Sequence, residues 1–243
     1  MEIIKLNAID STNSFLKDLM QNSTLKNYTT VVAKNQLSGR GQQENHWHSE
    51  NGKNLLISMF IRFENLEISL QKYLNFAISL AVFDTLSTFN IPKLKIKWPN
   101  DILADNKKLS GILIENSIHG KRIKTSIIGI GLNVNQKKFP LNLPKATSII
   151  QQLDEKINLD ELLALLLKKV AEKITLLNKH KYHIIEKDYL NVLYKKNIPT
   201  TFKDSNNVLF MGIIKGISDN GNLLIELENN IIKEFGIKEI SIA

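Results

Sequence analysis

Lys97-Trp98-Pro99-Asn100-Asp101 sets a cation, an indole, an amide and a carboxylate in five consecutive positions, and Lys108-Leu109-Ser110-Gly111 begins seven residues after Asp101. Packing alone does not call for this mixture. It suits a site that holds polyanionic phosphate, a metal and a flat ring together. Pro99 fixes its own φ and keeps Trp98 extended, so Asn100 and Asp101 are presented at a strand's end. Asp101 can offer one carboxylate oxygen to Mg2+, which is how that ion sits beside substrate phosphates. Asp105-Asn106 reads as a turn, after which one of Lys107 and Lys108 points inward and the other outward. An inward Lys108 near Arg40 can neutralise charge growing on an α-phosphate and its leaving pyrophosphate. The plain alternative is a strand end, a turn and a lysine on a solvated hairpin tip, the expected fate of Lys107.

Gly39-Arg40-Gly41 follows a strand-like run. Its glycines let the backbone approach a ligand and aim amides at an anion, and Arg40 adds a planar cationic fork. No Gly-Lys-Ser/Thr follows at P-loop spacing, and the segment is not a dinucleotide fingerprint. Gly129-Ile130-Gly131-Leu132-Asn133 closes another strand. Glycine inside a strand marks close approach, and the Asn133 amide can pair with a base edge. Asp10-Ser11-Thr12-Asn13 reads both as a helix N-cap and as hydroxyls for a small polar ligand head, and Gln36 shares that ambiguity. The five histidines show no relay spacing, and zero cysteines exclude disulfides and thiolate metal sites.

The elements that must position these residues follow from periodicity. Strands are expected over Glu2–Ile9, Thr29–Ala33, Asn54–Phe63, Leu94–Trp98, Leu109–Asn116 and Ile123–Asn133, the last two joined as a hairpin through His119-Gly120. Leu70, Leu74, Ala77, Ala81, Val82, Leu86 and Phe89 repeat at helical spacing, giving a helix over 69–89. Shorter or later helices are expected over 13–21, 158–177 and 181–193. Residues 35–53 read as a long polar loop, and Gln151–Lys156 as a polar connector. After Pro199, short β-rich runs alternate with turns, the pattern of a small β-barrel. The fold class is therefore α+β, a mixed sheet packed with helices over residues 1–195 and a small C-terminal β-barrel over 196–243.

The 243 residues carry 43% hydrophobic and 23% charged side chains, an ordinary globular balance. No apolar run reaches membrane-spanning length and the N-terminus lacks a signal-peptide pattern, so a soluble cytoplasmic protein is expected. The net charge of +8 permits attraction to nucleic acid, nucleotide phosphate or an acidic protein, or merely reflects lysines on solvated faces.

Taken in order, Ser11-Thr12-Asn13, Gln36 with Gly39-Arg40-Gly41, Trp47, Lys97-Trp98-Pro99-Asn100-Asp101, Lys108 with Gly111, and Gly129-x-Gly131-x-Asn133 resemble biotin protein ligases over essentially the whole chain. The resemblance implies a class II synthetase-like catalytic domain with an SH3-like C-terminal barrel. It implies a two-step reaction in which ATP activates biotin as biotinyl-5′-adenylate and a lysine of a biotin carboxyl carrier domain, as in acetyl-CoA carboxylase, takes the biotinyl group. By the same likeness Ser11, Thr12, Asn13, Gln36, Lys108 and Gly111 contact biotin or its adenylate, and Gly39, Arg40, Gly41 and Gln42 form a closing loop. Trp47 packs against the adenine side, Gly131 and Asn133 serve the adenine, and Asn100 and Asp101 serve the phosphates and Mg2+. Lys108 and Arg40 are the catalytic cations.

The loop departs from that family's arginine-rich pattern: it reads Gly39-Arg40-Gly41-Gln42-Gln43-Glu44-Asn45, where Gln42 and Asn45 remove cations and Glu44 adds an anion. Loose retention of the adenylate is the expectation. Some relatives carry an N-terminal winged helix-turn-helix; here the Ser-Thr-Asn motif starts at residue 11, so no sequence-specific DNA binding by that route is expected. Monomer and homodimer both remain open. Lipoate–protein ligase or octanoyltransferase chemistry is the alternative within enzymes. A nucleic-acid binder is the alternative outside them, although the tail lacks interleaved aromatic and basic residues.

Overall fold

The computed structural model describes residues 2–42 and 45–243; Gln43 and Glu44, two positions of the altered loop, lie outside the described residues. The chain runs β1 (Ile3–Ile9), α1 (Thr12–Asn22), β2 (Thr30–Gln36), β3 (Leu55–Glu67), α2 (Gln71–Ser87), β4 (Lys95–Lys97), β5 (Asp101–Ala104), β6 (Lys107–His119) and β7 (Arg122–Leu132). Three helices follow, α3 (Ile149–Leu153), α4 (Leu159–Asn178) and α5 (Tyr182–Val192). The chain ends in β8 (Pro199–Asp204), β9 (Leu209–Ile217), β10 (Leu223–Glu226), β11 (Ile232–Phe235) and β12 (Ile240–Ile242).

The first seven strands form one sheet in the order β1-β2-β3-β7-β6-β5-β4. β1 and β2 are parallel and the other neighbours antiparallel, so the sheet is mixed and the class is α+β, as the sequence indicates. β3 is apolar from Leu55 to Ile61 apart from Ser58 because both of its faces are covered. Met59 and Ile61 join the main core with α2, α4 and α5. Phe60 turns the other way, to Val31, Ile127 and Leu16 of α1. α1 leaves part of that second face uncovered, and the cavity described below lies there.

Local signals account for the boundaries. The Asn158 side chain accepts from the amides of Asp160 and Glu161 and so caps α4. Asp105 and Asn106 both take positive φ, 46° and 64°, the two-residue hairpin geometry whose twist suits β5 and β6. The Trp98–Pro99 bond is cis, and Trp98–Asn100 forms the turn between β4 and β5.

Three expectations change. Part of the connector Gln151–Lys156 belongs to α3, which opens at Ile149, an apolar residue that is fully buried. The polar stretch 35–53 is partly built: Leu37 and Ser38 donate to Ile9 and Asp10 carbonyls, Trp47 donates to the Gly39 carbonyl, and Arg40 bridges His46. The C-terminal unit is a five-stranded antiparallel sheet ordered β11-β10-β9-β8-β12, open rather than a closed barrel. Its edge strands β11 and β12 have only four and three residues.

Candidate active site

A cavity of about 220 Å³ opens on the α1 side of the sheet, lined by residues from the N-terminus of α1, the glycine loop, and β5 to β7. Its floor is built from glycines. A Cβ on Gly129 would strike the Asn13 side chain, and one on Gly131 would strike the Trp47 indole. Gly111, opposite Gly131 in the β6–β7 register, would also crowd that indole and the Lys108 side chain. The strand glycines thus let a helix terminus and an aromatic ring lie directly on the sheet.

One end of the site is a chain of hydrogen bonds. The backbone amide and hydroxyl of Thr12 both donate to Gln36 Oε1, at 2.8 and 2.9 Å. Ser58 Oγ lies 2.7 Å from Thr12 Oγ1 and 2.5 Å from Asn13 Oδ1. Asn13 Nδ2 donates to Glu115 Oε2 at 2.7 Å. Ser11, Thr12 and Asn13 are all buried at the start of α1, where Ser11 is the N-cap and accepts from the Ser14 amide at 3.5 Å. The cap is thus formed, and the same three residues line the cavity. The other end carries charge. Lys108 Nζ sits 2.7 Å from Asp101 Oδ1 and 5.7 Å from the Trp47 ring centroid. Asn100 Nδ2 donates to the Ile112 carbonyl at 2.6 Å, fastening the β4–β5 turn to β6. Gly129 and Gly131 stand two residues apart on β7, so the two ends are separated by roughly 7 Å along the strand.

Arg40 lines the same cavity as Lys108, with its guanidinium turned to Glu115: NH2 is 3.0 Å from Oε1 and NH1 3.4 Å from Oε2. Gly41, Gln42 and Asn45 also line it, and the backbone of this loop closes on itself through a Gly41 amide to Asn45 carbonyl bond of 2.6 Å. Gly39 packs against the Trp47 backbone, where no side chain fits.

Two expected residues lie elsewhere. Trp98, read as a ring for the site, points away; its indole donates to the Gly221 carbonyl in the β9–β10 turn at 3.0 Å and joins the two sheets. Asn133 does not line the cavity. It is buried beside it, with Nδ2 on the Thr147 carbonyl at 2.9 Å and Oδ1 without a partner among the described residues. The Trp47 Nε1 is likewise buried and has no partner among the described residues.

Sequence reasoning missed Ser58, Glu115, His46 and Ile237, which lie on or around the cavity. Ser58 had a signal, the one polar side chain within the apolar run of β3. Glu115 shares a face with Gly111 and Leu113 by strand alternation. Ile237 arrives from the connection between β11 and β12, and nothing local announces it.

Among the described residues no three His, Asp or Glu side chains converge as a metal cage. The donor set at the charged end is a single carboxylate, Asp101, which fits Mg2+ held chiefly by phosphate oxygens and not a fully protein-bound ion.

Comparison with known proteins agrees with this geometry. Residues 6–133 match the biotin/lipoate A/B protein ligase family, and residues 197–240 match the biotin protein ligase C terminal domain. The bifunctional ligase/repressor BirA of Bacillus subtilis (strain 168) is 34% identical over 241 residues, which cover 95% of this chain and 71% of that protein. A biotin–[acetyl-CoA-carboxylase] ligase of Paracoccus denitrificans is 33% identical over 127 residues, 51% of each chain. The structure of a biotin protein ligase from Aquifex aeolicus in complex with biotin and ATP superposes with a TM-score of 0.81 at 28% identity, over 100% of this chain and 98% of that one. The chain belongs to the biotin/lipoate A/B protein ligase family, as one of its biotin protein ligases.

Proposed function

We propose that the cavity binds biotin and ATP and joins them as biotinyl-5′-adenylate, then delivers the biotinyl group to a lysine of a biotin carboxyl carrier domain. In the first step a biotin carboxylate oxygen attacks the α-phosphorus. The bond to the bridging oxygen breaks and pyrophosphate leaves with the electron pair. In the second, the lysine ε-amine attacks the acyl carbon, the bond to the adenylate oxygen breaks, and AMP departs while the amine gives up a proton.

The observation that carries this reading is the shared cavity of Lys108 and Arg40, with an amide- and hydroxyl-lined end two strand residues away. Thr12, Asn13 and Gln36 offer the donors and acceptors that a polar ring head requires. Bringing a carboxylate against a triphosphate sets two anions together, and Lys108 offsets the charge that grows as pyrophosphate departs. Asp101 would hold Mg2+ together with the phosphates; when bound, that ion supplies further charge neutralisation. Trp47 gives an adenine a flat apolar surface, and Asn133, buried beside the cavity with Oδ1 unpartnered among the described residues, would accept from its exocyclic amine only if the site opened toward it. Gly39–Gln42 would exclude water from the labile anhydride.

We place the division between the two units at residue 195/196, in the short connection from α5 to β8. A biotin carboxyl carrier domain is the acceptor we assign, and the net charge of +8 favours an acidic one. The lipoate alternative is less supported, because the C-terminal match is to the biotin ligases. ATP–pyrophosphate exchange decides: it should depend on biotin and be unmoved by lipoate. Exchange driven by lipoate alone would overturn the assignment.

A further inference from the structure

The carboxylate of Glu115 receives two groups from different parts of the chain. Asn13 Nδ2, from the start of α1, reaches its Oε2 at 2.7 Å. Arg40, from the glycine loop, spans both oxygens at 3.0 and 3.4 Å and also reaches Ser14 Oγ at 3.3 Å. Glu115 stands on β6, paired with Ile127 of β7, so the sheet holds it in place. Arg40 belongs to a loop and not to the sheet. A two-pronged guanidinium–carboxylate pair is directional as well as strong.

We propose that Glu115 is a positioning residue that holds the glycine loop over the cavity through Arg40 and ties that closure to the Asn13 end of the site. Glu115 touches no reacting atom in this scheme. It decides where Arg40 points, and it does so from the same oxygen that orients the Asn13 amide. The loop here lacks cationic side chains at Gln42 and Asn45, so Arg40 is the loop's cation between Gly39 and Trp47. Among the described residues, this pair is the loop's salt bridge to the sheet. The inference rests on the ligase reading for its effect on the adenylate, but not for its effect on the loop.

Trypsin cuts after arginine, which makes the Arg40–Gly41 bond its own reporter. In full-length protein without biotin or ATP, Glu115→Gln keeps an oxygen for Asn13 and removes the charge that holds Arg40. Cleavage at Arg40, mapped by mass spectrometry, should quicken by about tenfold while cleavage at other sites is unchanged, since limited proteolysis follows the population of the open form. With biotin and MgATP present, release of biotinyl-adenylate should quicken by a similar factor. Glu115→Asp, which keeps the charge on a shorter arm, should fall between. Unchanged cleavage at Arg40 in both variants would overturn the proposal. Cleavage that rises equally at every site would also overturn it, by making Glu115 a general stabiliser. If the unaltered protein formed no adenylate, the ligase reading would fail and the cleavage result would still decide the anchor.

Discussion

Lys108 Nζ and Asp101 Oδ1 lie 2.7 Å apart across the β5–β6 hairpin, so the cation assigned to the reaction is paired with the carboxylate assigned to the metal. The register brings them together. Asp101 stands opposite Gly111, a bulge follows, and Lys108 stands opposite Leu103. Its side chain then lies over Gly111, where a Cβ would come within 3.2 Å of it. Lys108→Ala is predicted to lower pyrophosphate exchange by about 10²–10³-fold, the scale of losing one preorganised charge at a developing anion. Transfer from adenylate supplied ready-made should fall much less. Comparing the two assays checks the assignment, and equal losses would argue against it.

Adenylate retention is the second prediction. Gln42 lines the cavity and offers no charge to a phosphodiester. Gln42→Arg should slow biotinyl-adenylate release by about tenfold, the worth of one charge-assisted hydrogen bond of about 1.5 kcal/mol. A filter-binding time course reads this directly. A slow release in the unaltered protein would contradict the premise.

The glycine floor gives the third. Gly131→Ala places a methyl group where the Trp47 indole lies, so the indole must lift off the sheet. KM for ATP should rise by about tenfold while KM for biotin changes little. Since Trp98 is the only other tryptophan, a Trp98→Phe background isolates the Trp47 fluorescence that should shift.

Trp98 itself provides the fourth. Its indole N–H bonds the Gly221 carbonyl, and Lys72 on α2 reaches Asp219 at 3.1 Å in the same turn. Trp98→Phe keeps a six-membered aromatic ring and removes the pyrrole part with its hydrogen bond, a loss of about 1 kcal/mol for the bond. Calorimetry should show a melting temperature lower by about 2–4 °C. No shift would mean the contact does not hold the C-terminal sheet.

Encounter with the acceptor gives the fifth. If the charge of +8 steers an acidic carrier domain, the second-order transfer rate should fall as salt rises, while exchange measured without acceptor changes little. A transfer rate indifferent to ionic strength would remove steering from the account.

Much of this was legible in the sequence because it is local. The apolar run of β3, the helical spacing of α2, the Asn158 cap and the Asp105-Asn106 turn each follow from a few neighbouring residues. The order of the motifs carried the site. What the sequence did not disclose depends on distant partners. Trp98 reads as one member of a site-forming cluster until the β9–β10 turn is seen to take its hydrogen bond. Glu115 reads as a strand carboxylate until Asn13 and Arg40 arrive from either side. Ile237 enters the cavity from the far end of the chain. The open C-terminal sheet depends on how its first and last strands are placed, which turn residues alone do not fix.

The central claim is that this cavity makes an adenylate and passes its acyl group to a lysine. The direct measurement is the mass of a biotin carboxyl carrier domain after incubation with the protein, biotin and MgATP. The account predicts a gain of one biotinyl group on a single lysine, lost when ATP is omitted and strongly reduced in Lys108→Ala. An unmodified carrier, or one modified as well by Lys108→Ala as by the unaltered protein, would contradict it.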